Sequence, residues 1–492
     1  MKHLIIIGGG IAGLAAAYYA QQKFPAPGSI TLLEAGPRWG GKITTDRAEI
    51  PNVEGQFVVE GGPDTFIVTK PWAMKLCKEL GIADRLRGTN PDKKATYILK
   101  KGQLHELPGG LTMMIPTEFG PMIRTGLLSW PEKVRMGMDF LLPSAPENGD
   151  ETLGTFVSRR LGRAAYENLI EPLMSGIYAG DGDKLSLQAT FPYLRDLENK
   201  HGGLVKGALA FRAERAKAVS QNGANGTKPA PGSRSIFLTP LTGLAEIVEA
   251  LVEKLETAGV EMQLNTRVES VRRGDGLRDA WCVRLENGEL LETDTLILAT
   301  PAFVSAELLA EVAPELAGEL AAIEYVSTAT VSLAYRDSDL PRPLDGYGYV
   351  IPRREGRTAL ACTWTSTKFP HRAPEGYALV RVFVGRAGQE ADLPWDEAGL
   401  LDIARKELKL TLGIIAEPVL TRVFRWEKAM PQYNLGHPER LARIDQALAT
   451  LPRLGLAGNG YQGIGIPDCI RSGELAVERV LENRTQLTSL RA

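Results

Sequence analysis

The stretch from His3 to Glu34 constrains the fold more than any other part of the chain. A short apolar run, His3 to Ile7, reads as a buried strand. Gly8, Gly10 and Gly13 follow it at G-x-G-x-x-G spacing and open an alanine-rich helix. Gly8 permits the tight strand-to-helix turn, Gly10 lets the backbone approach a pyrophosphate, and Gly13 lets helix and strand pack closely. The pyrophosphate would rest on free N–H groups at the helix N-terminus, where the aligned peptide dipoles favour negative charge. Glu34 ends the next apolar run, Ile30 to Leu33, at the reach of roughly 20 residues expected for an acid that accepts hydrogen bonds from ribose hydroxyls. Residues 3 to 20 are nearly uncharged and also have the look of a signal peptide or a membrane span. Three glycines inside the run and a single lysine ahead of it argue against both.

At 492 residues the chain is too long for one small core, and two or three domains are expected. A net charge of −2 gives no global attraction to nucleic acid, so an acidic ligand must be held by local basic groups. Cys77, Cys282, Cys362 and Cys469 are far apart and show no C-x-x-C, which points to free thiols in a reducing, cytoplasmic setting and to no metal site. No run of about twenty apolar residues is present, so membrane contact is expected to be peripheral at most.

Along the chain, GPRWGGK (Gly36 to Lys42) is a glycine-rich turn that would lay backbone against a ligand, and VVEGGPDTF (Val58 to Phe66) is a strand before a second glycine pair. Residues 70 to 86 read as a helix with Trp72, Leu76, Leu80 and Ile82 on its apolar side. Tyr97 to Leu99 has strand character. Methionines are dense between 113 and 138, where thioethers suit either core filling or an irregular apolar ligand or membrane surface. From Thr152 to Leu197 the pattern is helical, broken by the loop SGIYAGDGDKLS at 175 to 186. Residues 220 to 234, SQNGANGTKPAPGSR, read as a mobile loop. Strand-helix-strand logic then returns, with strands at Val260 to Leu264 and Val268 to Val271 and a further one entering the turn at Ala302. Between about 320 and 425 alternating segments predict an antiparallel sheet, closed by a helix from Trp395 to Leu412.

The expected fold is therefore an α/β, Rossmann-like nucleotide domain that is discontinuous in sequence (1–85, 235–303 and 416–492). It would carry a helical excursion (86–219), a flexible loop (220–234) and a β-rich substrate domain (304–415).

The N-terminal cradle alone does not choose between NAD and FAD. The segment AGNGYQGIGIPDCIRSGELA shifts the balance, because a second helix start, with Pro467 at its first position, would offer positive potential to an isoalloxazine that gains negative charge on reduction. GGGIAGL with Glu34, GPRWGGK, EGGPDTF and this C-terminal turn together resemble the amine-oxidase-type flavoproteins. EPLMSGIYAGDGDKLSLQATFP (171–192), MPQYNLGH (430–437) and GIPDCIRSG resemble the porphyrinogen oxidases among them, and PGGLTMMIPTEFGPM (108–122) is similar to the soluble bacterial coproporphyrinogen III oxidase type.

The resemblance implies an oxidase that uses FAD and oxygen to remove six electrons from a porphyrinogen in haem biosynthesis. Hydrogen peroxide would be released and the flavin would be the reactive group, so no side chain is assigned as general acid or base. It places FAD contacts at Gly8, Gly9, Gly10, Ile11, Ala12 and Gly13, at Glu34, Ala35 and Lys42, and at Gly62, Pro63, Asp64 and Thr65. Further contacts fall on Val268, through its backbone, on Trp426, and on Ile464, Gly465 and Ile466. A backbone carbonyl near Gly176 would accept from pyrrole N–H groups, and Lys70 is a candidate partner for a propionate. Thr96 stands where many protoporphyrinogen oxidases carry an arginine, which favours the four-propionate substrate. Protoporphyrinogen IX oxidation, an amine or carotenoid substrate, and a porphyrin-handling scaffold are the competing readings. Docking to a downstream haem-pathway enzyme or a bilayer would use the methionine-rich segment and the basic helix from Phe211 to Lys217.

Overall fold

Uninterrupted apolar strands such as LIII and ITLL suit a parallel sheet covered on both faces. That is where they lie in the structure, a computed structural model that describes residues 3–489 apart from 25, 27, 113–114, 145–148, 223–234 and 275–279. Five parallel strands pair in the order Glu261–Gln263, Ile30–Leu33, Leu4–Ile7, Thr295–Leu298, Leu454–Leu456. Strand periodicity sends Leu4 and Ile6 into one core and Ile5 and Ile7 into the other. The first core is closed by helix α1 (Ile11–Lys23), by Ala245–Thr257 and by the C-terminal helix. The second is closed by a three-stranded antiparallel sheet (268–273, 281–285, 290–293) and by helices at 302–309, 314–321 and 437–449.

A seven-stranded sheet forms the second layer. Its order is 420–431, 325–336, 377–384, 359–364, 346–350, 95–100, 103–106, antiparallel except where 346–350 meets 95–100. Sheet membership thus cuts across the expected boundaries. Strands 95–106 come from the segment read as helical and 420–431 from the segment read as nucleotide-binding, while the helices after 302 serve the nucleotide-side core. Long-range pairing decides which sheet takes a strand, and alternation within six residues does not encode it.

The excursion folds around its own apolar core, including Phe156, Tyr166, Met174 and Tyr433. Met122 and Met136 fill that core or its edge, Met138 is exposed, and Met113 and Met114 lie outside the described residues. Most of the expected loop at 220–234 also lies outside them, from 223 onward, and residues before it end the helix Leu204–Asn222. The helix read over 70–86 is shorter, Pro71–Glu79, because Gly81 turns with φ +77°. No helix among the described residues is long and apolar enough to cross a membrane.

Candidate active site

The dinucleotide cradle is built by backbone. Gly8 turns with φ +109°, and a Cβ there would stand 2.7 Å from the Ala299 carbonyl oxygen; a Cβ at Gly13 would land on the Gly8 carbonyl. Gly10 behaves differently. It is the N-cap of α1, a Cβ on it would meet nothing within 4 Å, and no side chain caps the helix. Its carbonyl already takes the Leu14 N–H at 2.9 Å, which leaves the amides of Ile11, Ala12 and Gly13 as the outward donors of the first turn. The Glu34 carboxylate is fixed beside them, accepting from Gly9 N–H and from Gly36 N–H, each at 2.7 Å. Each carboxylate oxygen keeps a lone pair for a further donor such as a ribose hydroxyl. Ala35 is exposed just beyond, and GPRWGGK folds back so that Gly40 N–H donates to the Gly9 carbonyl at 2.8 Å.

The EGGPDTF turn is held rigidly from the seven-stranded sheet. The Gly61 carbonyl accepts from Trp426 Nε1 at 2.8 Å, Thr330 Oγ1 at 2.9 Å and Arg381 Nη2 at 3.0 Å. Trp426 thus acts on this turn through its indole N–H. Gly62 packs so closely on the Lys42 carbonyl that a Cβ would overlap it. Pro63 and Thr65 are partly buried. Between them Asp64 pairs with Lys368 at 3.0 Å. Burial opposes its ionisation, but Lys368 and Arg381 outweigh this and bring the carboxyl down to about 2. Val268 pairs with Leu285 in the small antiparallel sheet, next to a register shift.

The second helix start lies in the same region. Helix α2 (Glu171–Tyr178) ends the excursion's central run, and helix α3 (Ile466–Ser489) follows the glycine turn that contains Ile464 and Gly465. Gly473 lets α3 approach α1: a Cβ there would meet Ala12 O and stand 2.9 Å from Ala16 N. The turn before α3 is braced by MPQYNLGH. Tyr433 Oη donates to the Asn459 carbonyl at 2.6 Å and accepts from Gly463 N–H at 3.0 Å. His437 stacks on Tyr433 at 4.3 Å and donates from Nε2 to the Tyr461 carbonyl at 2.9 Å. The same segment grips 175–186: Gln432 Nε2 donates to the Tyr178 carbonyl at 3.0 Å, Ser186 N–H to the Tyr433 carbonyl at 2.8 Å, and Leu185 bridges to Asn434. Two segments far apart in sequence therefore form one unit.

Gly176 is in the last turn of α2 and not in a loop. The helix runs on to Tyr178 and is ended by Ala179, which adopts the left-handed conformation with φ 50°. Ala179 N–H caps the Ser175 carbonyl, whereas no backbone amide of the described residues reaches that of Gly176, which is exposed beside exposed Ile177.

The two lysines singled out in the sequence differ sharply. Lys70 is already engaged: its Nζ lies 2.7 and 2.8 Å from the two Asp468 oxygens, in the first turn of α3. Lys42 has no such carboxylate. Burial lowers its ammonium to about 8 against a small opposing influence of Cys469, and its Nζ stands 6.0 Å from the centre of the Tyr325 ring. Sequence reasoning gave no signal for this setting, because Tyr325 and Cys469 are hundreds of residues away.

An open Gly10, uncapped helix amides and a carboxylate at ribose reach fit a dinucleotide, and the second helix start fits its far end. Fold and site together define an α/β protein of the dinucleotide-binding class. The chain belongs to the flavin-containing amine oxidoreductases, whose family model matches residues 11–481, and its cofactor is FAD. It is 37% identical over 98% of its length, and 98% of the relative's, to the coproporphyrinogen III oxidase of Bacillus subtilis (strain 168). It is 27% identical to the chloroplastic protoporphyrinogen oxidase of Oryza sativa subsp. japonica, covering 98% of this chain and 88% of that one. A crystal structure of a protoporphyrinogen-oxidase-type protein from Exiguobacterium sp. 255-15 superimposes with TM-score 0.83 at 34% identity, covering 98% and 99% of the two chains.

Proposed function

We propose that this FAD-dependent oxidase converts coproporphyrinogen III to coproporphyrin III with oxygen, releasing hydrogen peroxide, in haem biosynthesis. The observation that carries the reading is the end-to-end similarity to a bacterial coproporphyrinogen III oxidase at 37% identity, against 27% for the plant protoporphyrinogen oxidase. The local geometry supports it: the two segments most like those oxidases, 175–186 and 430–437, pack on each other and on the turn before α3.

FAD, when bound, supplies the hydride acceptor and passes the electrons to oxygen. The chain's part is to hold and orient. The amides of Ile11 to Gly13 would take the pyrophosphate, Glu34 the adenosine ribose, the backbone of Val268 the adenine side, and Gly62 to Thr65 with Ile464 to Ile466 the flavin end, with Trp426 keeping Gly61 and Gly62 in place. The uncapped Gly176 carbonyl, at the negative end of the α2 dipole, suits pyrrole N–H donors and would turn a meso CH₂ toward the flavin. The parallel-sheet strands and α3 form the FAD-binding part, while the seven-stranded sheet and the helical excursion form the substrate part. Lys70 would bind a propionate only by exchanging it for Asp468.

The test is aerobic incubation of the flavin-loaded protein with coproporphyrinogen III and, separately, protoporphyrinogen IX, followed by porphyrin fluorescence. Faster turnover of coproporphyrinogen III is expected. Faster turnover of protoporphyrinogen IX would reverse the substrate assignment, and amine oxidation without porphyrinogen turnover would end it.

A further inference from the structure

Lys42 is a partly buried cation without an anion. GPRWGGK delivers it among three segments that would line the flavin end of the cleft in the function proposed above. Its own carbonyl packs on Gly62, its Nζ faces Tyr325, and Cys469 lies close by in the first turn of α3. None of these neighbours carries a negative charge. Burial pushes the Cys469 thiol and the Tyr325 phenol each up to about 12, and Asp468 is held by Lys70. Among the described residues no carboxylate forms an ion pair with Lys42, and withdrawal from water, only weakly opposed by Cys469, lowers its ammonium.

A desolvated ammonium without a counter-ion is costly, and a chain that keeps one has left a place for negative charge. The helix start beside it points the same way, since the α3 amides add positive potential to the same corner. A dinucleotide carries its permanent charge on the pyrophosphate, which the α1 amides serve. A flavin acquires further charge only when electrons arrive.

We propose that Lys42 is the fixed positive charge that stabilises the anionic, reduced isoalloxazine and so raises the reduction potential of the bound FAD. Lys42 is then a residue that tunes the cofactor, and the inference holds whichever reductant the enzyme uses. It requires only that the family's cofactor is present.

The experiment compares Lys42→Met and Lys42→Arg with the wild type as FAD-loaded proteins, free FAD in excess. It reads the midpoint potential of the bound flavin and the dissociation constant of sulfite, which adds to flavin N5 and leaves a negative charge on the ring. Lys42→Met should retain FAD, move the midpoint to more negative values and weaken sulfite binding by about tenfold or more, while Lys42→Arg should stay near the wild type. The apo form of Lys42→Met should melt no lower than the wild type, because an unpaired, partly buried charge has been removed. Unchanged sulfite affinity and potential in Lys42→Met would overturn the proposal. So would a folded Lys42→Met protein that takes up no FAD at any concentration, since the lysine would then serve the phosphates. Lys42→Gln, polar and shorter, replaces Lys42→Met in every arm if the methionine variant does not fold.

Discussion

Gly13 shows how little freedom a single position has at the cradle. A methyl group there overlaps the Gly8 carbonyl, so Gly13→Ala must push the strand-helix turn apart. We expect a loss of about 1–3 kcal/mol and sharply weaker FAD retention, read by thermal melting and by flavin absorbance after gel filtration. A variant that keeps both would show that the turn is more pliable than its packing implies. Asp64 makes a different prediction. Its folded value of about 2 lies below the ordinary 3.8, so the stabilisation it provides is fully present above 3.8 and is lost as the pH falls toward about 2. Asp64→Asn should remove about 2 kcal/mol of that acid-sensitive stability. Parallel stability curves for the two proteins between about pH 5 and about pH 2 would sink the argument. Glycine spacing made the cradle legible in the sequence because its chemistry is local. The state of Lys42 was not legible, since it depends on Tyr325 and Cys469 arriving from other elements.

At the scale of elements, one hydroxyl makes two of the contacts that hold the turn before α3. Tyr433→Phe keeps the ring stack on His437 and removes both contacts of Oη, the donation to Asn459 and the acceptance from Gly463. Losing a buried pair of this kind costs about 1–3 kcal/mol. The loss should appear as faster FAD dissociation in stopped-flow exchange, and an unaltered dissociation rate would show that the turn is braced elsewhere. Element ends were the least legible features. The left-handed residue that stops α2 is Ala179, where sequence reasoning looks for glycine, so Gly176 was read as loop and is helix. Gly81 stops its helix as a left-handed glycine ordinarily does, although the expected helix ran through it to residue 86.

The whole molecule is organised by pairings between distant segments. Four strands of the parallel sheet, at 4–7, 30–33, 261–263 and 295–298, were recognisable one by one, and their common sheet follows from the α/β pattern. The recruitment of 95–106 and 420–431 into the other sheet does not, because the partners of those strands lie far away in sequence. The crossing of α1 and α3 at Gly473 is one of the close long-range contacts. Gly473→Val should separate the helices, cost about 1–3 kcal/mol and release FAD by displacing Ala12, a predicted cofactor contact against which the new side chain would press. Wild-type flavin content in that variant would mean the two helix starts are positioned independently.

That crossing also orders events in time. The glycine cradle at 8–13 leaves the ribosome long before α3 and the 454–456 strand that lies in the same sheet. At ordinary synthesis rates the interval is roughly 20–90 s. Throughout it, the nascent chain carries a half-built groove whose outward amides have only water to bind. Capture of FAD by the complete two-ended site therefore waits until α3 has been made.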